Sequence, residues 1–380
     1  MPEETIGQHL KRQGVSRRDF VKMCGVLVGA MGLRYAPPVE ASELPSELSA
    51  ARGFASANLI AKALEVKTRV PVIWLEFQDC AGCSEALTRS QAPTLVDLVL
   101  NTITVEYHET LSAAAGFQAE QAKQDAMKKY AGKYVLVVEG SIPTDNDGVY
   151  CTIGGRTAVD LLKEAAAGAA AIIATGNCAS FGGIPKAKPN PTGAKSVLEL
   201  ITDKPVVNIP GCPAIPEATT GTIAHFVVFG ALPELDSLHR PMPFYGNTIH
   251  DRCLRRPFYE AGKFANSFDD EGAKKGWCLY KLGCKGPTTY NACATIKWDQ
   301  GLSFPIQSGH PCLGCSEPNF WDGGGFYQGQ SAPLDRPTIT VVGAAAAAGA
   351  AIGIGVAAAN RMQKSKAAAD GKTAQAEKGE

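Results

Sequence analysis

The chain has 380 residues, and its 37 Lys plus Arg balance 37 Asp plus Glu, so it has no basic field of the kind that draws nucleic acid. A hydrophobic fraction of 45% at this length allows two or three domains with a sizeable core, so the 12 cysteines are not needed as disulfides for want of one.

Residues 1–41 read as a targeting segment. In SRRDFVKMCG, at Ser16–Gly25, the adjacent Arg17 and Arg18 precede an apolar run from Val21 to Leu33, the layout of a twin-arginine export signal rather than of structure. Cys24 lies inside it and is expected to have no role in the mature chain. From residue 64 to 238 apolar runs alternate with helical patterns. Val70–Phe77, Thr102–Tyr107, Tyr134–Glu139, Ala171–Thr175 and Pro205–Ile209 predict strands, with helices such as Ala113–Tyr130 and Thr157–Ala167 between them. That alternation predicts an α/β fold, a doubly wound parallel sheet with helices on both faces and ligands beyond the carboxyl ends of its strands. Cys80 and Cys83 follow the first predicted strand, Cys178 the fourth and Cys212 the fifth, so four thiols should converge on one edge.

After about Leu232 the alternation stops. Residues 239–330 are rich in Gly, Pro and aromatics and hold six cysteines with little periodicity, as expected of a smaller irregular domain organised by its cysteines. From Ile339 to Ala359 there are 21 uncharged residues, long enough for a transmembrane helix. Alanine and glycine dominate it, so a low-complexity linker is the alternative. Gly349 and Gly353 would let another membrane helix approach closely, and Arg361, Lys364 and Lys366 place the disordered tail, residues 360–380, on the cytoplasmic side.

Spacing narrows the thiol chemistry. Cys80 and Cys83, Cys312 and Cys315, and His250 and Cys253 are each three apart, so each pair can present two donors to one metal. A thioredoxin-like redox pair remains open for Cys80 and Cys83, and structural zinc for any four donors. Cys151 has no partner at ligand spacing and reads as a buried free thiol. His9, His108, His225, His239 and His310 read as surface or satisfied core residues. Glu76, Asp79 and Glu85, near the first pair, could tune it or release protons, or be ordinary solvated or interface carboxylates.

Six segments, DCAGCSE (Asp79–Glu85), GNCASFGG (Gly176–Gly183), PGCP (Pro210–Pro213), IHDRC (Ile249–Cys253), GCKGPTTYNAC (Gly283–Cys293) and HPCLGC (His310–Cys315), resemble the small subunit of nickel-iron hydrogenases in matching order. The resemblance runs from about Val70 to Asp322. The leader and C-terminal apolar segment resemble those of the membrane-bound uptake type. It implies a flavodoxin-like domain, residues 64–238, and three iron–sulfur clusters. Cys80, Cys83, Cys178 and Cys212 would hold a proximal 4Fe-4S cluster, and His250, Cys253, Cys278 and Cys284 a distal 4Fe-4S cluster. Cys293, Cys312 and Cys315 would hold a medial 3Fe-4S cluster, with Pro305 where a fourth cysteine could bind.

The resemblance further implies a hydrogen:acceptor oxidoreductase whose nickel-iron centre, and all catalytic residues, belong to a separate large subunit. This chain would pass electrons to a membrane acceptor, such as a b-type cytochrome or another quinone-reducing subunit, on the periplasmic side of the membrane. Twin-arginine transport carries folded proteins, so the cysteines would already be ligands when exported. Oxygen-tolerant members of the family carry two further cysteines, here Gly82 and Gly183, which implies the standard oxygen-sensitive type.

Overall fold

The computed structural model describes residues 4–16, 18–20, 22, 24, 64–91, 93–324 and 326–328. Its frame is built from β-branched and aliphatic runs: β1 (Val70–Glu76), β2 (Ile103–His108), β3 (Val135–Glu139), β4 (Ala171–Thr175) and β5 (Val206–Ile209). They pair in the order β2-β1-β3-β4-β5, every pair parallel, with Val72 opposite Val135, Val135 opposite Ala171 and Ile172 opposite Val206. This 2-1-3-4-5 order is the flavodoxin-like doubly wound arrangement. β3, β4 and β5 are buried throughout, which is why they read as unbroken apolar runs rather than alternating ones.

The pleat divides the core. Leu136, Val138 and Ile172 pack with Leu161, Leu162, Ala126 and Met127, which come from α3 (Gly116–Lys129) and α4 (Ala158–Ala167). Val135, Val137, Ile173 and Val207 face the other way, onto Ile223 and Val227 of α6 (Pro216–Phe229). Two short helices, α2 (Gly82–Thr88) and α5 (Gly176–Phe181), start beyond the carboxyl ends of β1 and β4.

Beyond residue 239 the backbone turns to helices of four or five residues, single 3₁₀ turns and isolated bridges such as Thr248 to Tyr290 and Phe264 to Cys278. Its Phe244, Tyr245, Leu279 and Phe304 join the same core as α6, so the described residues form one compact unit.

The first described residues, expected from sequence to be an export signal rather than structure, pack into the fold. Thr5 and Gln8 form a capping box for α1 (Ile6–Arg12), whose Ile6 and Leu10 are buried in the main core with Leu64 and Leu98. The Ile6 N–H donates to the Lys67 carbonyl at 2.7 Å, and a Cβ on Gly7 would meet the Glu65 carbonyl at 2.8 Å, so only glycine permits this approach. Phe20 and Cys24 are buried there too. The expected membrane span, residues 339–359, and the tail lie outside the described residues. Among the described residues no helix is long and apolar enough to cross a membrane.

Candidate metal centres

Four thiols meet at the carboxyl edge of the sheet. Cys80 precedes α2 and Cys83 lies within it, Cys178 lies in α5, and Cys212 follows β5. Glycine keeps the space between them open: a Cβ on Gly176 would lie 2.6 Å from Cys83 Sγ, one on Gly183 2.6 Å from Cys178 Sγ, and one on Gly82 3.0 Å from Cys80 Sγ. The Ala214 N–H donates to Cys83 Sγ at 3.5 Å. Burial, then the Cys212 thiol, raises Cys178 to about 12, and burial, then Glu139, holds Cys83 well above the ordinary thiol value. Such thiols stay protonated until a metal displaces the proton. Cys80 and Cys212 are exposed.

The irregular region supplies two more sets. Cys293 and Cys312 are buried in the core, and burial raises both thiols well above their ordinary value, with the nearby Cys315 adding to each. His250, Cys253, Cys278 and Cys284 line a single cavity with Arg255, Tyr280 and Ile306. Burial, with Arg256 nearby, lowers the His250 pKa, leaving the neutral imidazole that a metal requires. Backbone N–H groups of Arg255 and Gly314 donate to the sulfurs of Cys253 and Cys312, each at 3.4 Å. Pro305 is exposed between buried Phe304 and Ile306.

The three sets form a row. The Cys212 backbone hydrogen-bonds to the Cys315 thiol, and the Cys312 N–H donates to Cys284 Sγ at 3.3 Å. One CxxC pair therefore touches the strand-edge set at one end and the cavity set at the other.

The donor separation discriminates between groups that could fill these sites. A tetrahedral zinc with Zn–S of about 2.3 Å brings its sulfurs to roughly 3.8 Å of one another. Among the described residues, the one group of three donors with all atoms within 4.8 Å is Glu76, Asp79 and Glu139, and no thiol belongs to it. No three donors of any cysteine set lie mutually within 4.8 Å, and the cysteines form no disulfide. Such a spread of donors suits a multinuclear cluster held at its corners.

The strand-edge set rests on a buried polar network. At the end of β3, Glu139 accepts the Cys83 N–H at 2.9 Å, the Ser84 hydroxyl at 2.6 Å and the Trp74 indole N–H at 3.3 Å. The Ser84 hydroxyl also lies 2.9 Å from Glu76 and 3.2 Å from His108 Nε2. Burial raises Glu139 to about 6 and lowers His108 to about 4, so His108 is neutral. Glu139 and Ser84 give no signal in sequence, because only strand pairing brings residue 139 to residue 83. Cys151 is half-buried, and burial raises its thiol to about 11. His9, His225, His239 and His310 bond to backbone carbonyls.

Residues 245–328 match the family profile for the C-terminal part of NiFe/NiFeSe hydrogenase small subunits, and residues 80–226 that of the NADH ubiquinone oxidoreductase 20 kDa subunit. The uptake hydrogenase small subunits of Afipia carboxidovorans and Azotobacter vinelandii are 50% and 49% identical to this chain. The matches cover 86% of it and 84% and 86% of those proteins. The chain belongs to the nickel-iron hydrogenase small-subunit family. A solved [NiFeSe] hydrogenase chain from Desulfovibrio vulgaris Hildenborough superposes with a TM-score of 0.64 at 39% identity, over 69% of this chain and 99% of that one. As a hydrogenase small subunit, the chain is the iron–sulfur electron-transfer partner of a nickel-iron large subunit, in an oxidoreductase whose hydrogen chemistry belongs to that partner.

Proposed function

We propose that this chain conducts electrons from hydrogen oxidation through three clusters in a row: a 4Fe-4S cluster on Cys80, Cys83, Cys178 and Cys212, a 3Fe-4S cluster on Cys293, Cys312 and Cys315, and a 4Fe-4S cluster on His250, Cys253, Cys278 and Cys284. The observation that carries this is the reach of the Cys312–Cys315 pair from Cys212 to Cys284. When bound, the clusters supply one-electron carriers. The chain's residues do the rest. Backbone N–H groups donated to sulfur fix the thiolates and lower their charge density, burial of Cys293 and Cys312 keeps water from the middle site, and glycines keep the strand-edge cradle open. The exposed edge bearing Cys80 and Cys212 is the face that packs beneath the large subunit, and the cavity around His250 is the outlet. With glycine at 82 and 183 the chain is of the standard, oxygen-sensitive type.

Residues 1–41 would direct export by the twin-arginine route, and residues 339–359 would anchor the complex on the periplasmic side beside a quinone-reducing acceptor. Purified complex should contain iron at the level three clusters require and a 3Fe signal in the oxidised state by electron paramagnetic resonance (EPR). Stoichiometric zinc with little iron would overturn the reading. Removing residues 339–380 should leave hydrogen-driven dye reduction intact and lower quinone reduction in membranes; full quinone reduction by the shortened chain would make that segment a linker.

A further inference from the structure

The stretches carrying Cys293 and Cys315 meet on one side chain, that of Arg240, a residue only 4% exposed. Its Nε donates to Asp236 Oδ2 at 2.7 Å and an Nη to Glu317 Oε1 at 3.0 Å. A longer bond of 3.5 Å reaches the Ser316 carbonyl, next to Cys315. Both carboxylates are themselves held. Asp236 Oδ1 accepts the N–H groups of Leu238 and Arg240 at 2.9 and 2.8 Å, and Glu317 Oε1 accepts the Tyr290 N–H at 2.6 Å. The guanidinium also lies 5.7 Å from the Tyr245 ring and 5.3 Å from the Tyr290 ring, within cation–π range.

Those rings belong to the cluster-bearing segments. Tyr245 is buried, and its hydroxyl donates to the Pro210 carbonyl at 2.7 Å, just before Cys212. Tyr290 lies shortly before Cys293, and its carbonyl accepts the Ser316 hydroxyl at 2.8 Å. Asn177, next to Cys178, adds a parallel tie: its amide donates to the carbonyls of Cys315 and Glu317 at 2.9 and 3.0 Å. A buried arginine between two carboxylates is an expensive way to stabilise a fold, since apolar side chains of similar volume often do as well. Only arginine offers a planar fork for two carboxylates together with a flat cationic face for rings.

We propose that Arg240 is a positioning residue for electron transfer between the strand-edge and middle sites, an inference that rests on the cluster assignment above. It ties the Cys315 segment to Tyr290 of the Cys293 segment and, through Tyr245, to the segment of Cys212 and, together with Asp236, sets the charge felt at the middle site. The transfer moves one electron between the two sites and forms no bond. What a side chain can set is therefore separation and local charge.

Three variants of the complete heterodimer test this: Arg240→Gln, Asp236→Asn and Arg240→Lys. The readouts are iron content, the midpoint potential of the middle-site EPR signal, and hydrogen-driven dye reduction. Removing the positive charge in Arg240→Gln should lower that potential; removing a negative one in the isosteric Asp236→Asn should raise it. Arg240→Lys keeps the charge but cannot span both carboxylates, so the potential should stay near that of the parent while dye reduction falls several-fold. Mere loosening of the fold would not produce opposite signs. Equal or same-direction shifts at full iron content would overturn the proposal. If Arg240→Gln does not fold, Asp236→Asn decides: an unmoved or lowered potential overturns it. A parent complex lacking the 3Fe signal would instead overturn the cluster assignment.

Discussion

The α/β layer and the irregular region present sulfur by opposite means. In the layer, thiols hang from the carboxyl ends of strands whose cores of Val, Ile and Leu close on both faces without them. In the irregular region, cysteines are themselves core: Cys278, Cys293 and Cys312 are buried, and isolated bridges and short turns surround them in place of sheets and long helices. A site at a sheet edge is borne by a frame that stands without it. A site inside a region lacking its own frame is part of what folds that region.

The largest effect that would break this contrast comes from paired serine substitutions. Cys293→Ser should cost the middle cluster and open residues 239–328 to protease, whereas Cys80→Ser should disturb the strand-edge cluster and leave the α/β layer resistant. Equal proteolysis in the two variants would mean that both regions depend on their metal alike.

A smaller effect sharpens the picture of the sheet edge. Gly183 has φ +57° and no room for a Cβ beside Cys178 Sγ. Gly183→Ala should cost about 1–2 kcal/mol in the left-handed conformation. It should also change the EPR signature of the strand-edge cluster while the middle and distal signals stay as they are. An unaltered strand-edge signal would show that this glycine does not border the cluster.

The smallest expected effect concerns the layer alone. Burial raises Glu109 from 4.5 to about 7. The folded chain therefore holds that proton more tightly than the unfolded chain, and stability falls as pH rises between those two values. Glu109→Gln should raise the melting temperature of the complex at pH 8 and leave it unchanged at pH 4. Partial exposure keeps the gain to about 1 kcal/mol, a shift of a few degrees. A gain of equal size at both pH values would refute the burial argument.

Much of this was legible in the residues before any coordinates. The five apolar runs were readable as strands because parallel strands covered on both faces must be apolar throughout. The convergence of Cys80, Cys83, Cys178 and Cys212 followed, since in a parallel sheet every strand ends on the same edge. The spacing of Cys312 and Cys315, and of His250 and Cys253, was equally local, a property of one turn of chain. What the sequence left open was which side chains of distant segments bond one another: Glu139 beneath Cys83, the Cys315 segment tied to Asn177, Arg240 held between Asp236 and Glu317, and the N-terminal helix seated on Lys67 and Leu100. None of these contacts carries a period or a spacing. They exist because the closed sheet and the packing of the irregular region against α6 bring those side chains within bonding distance, and that was decided by the tertiary structure alone.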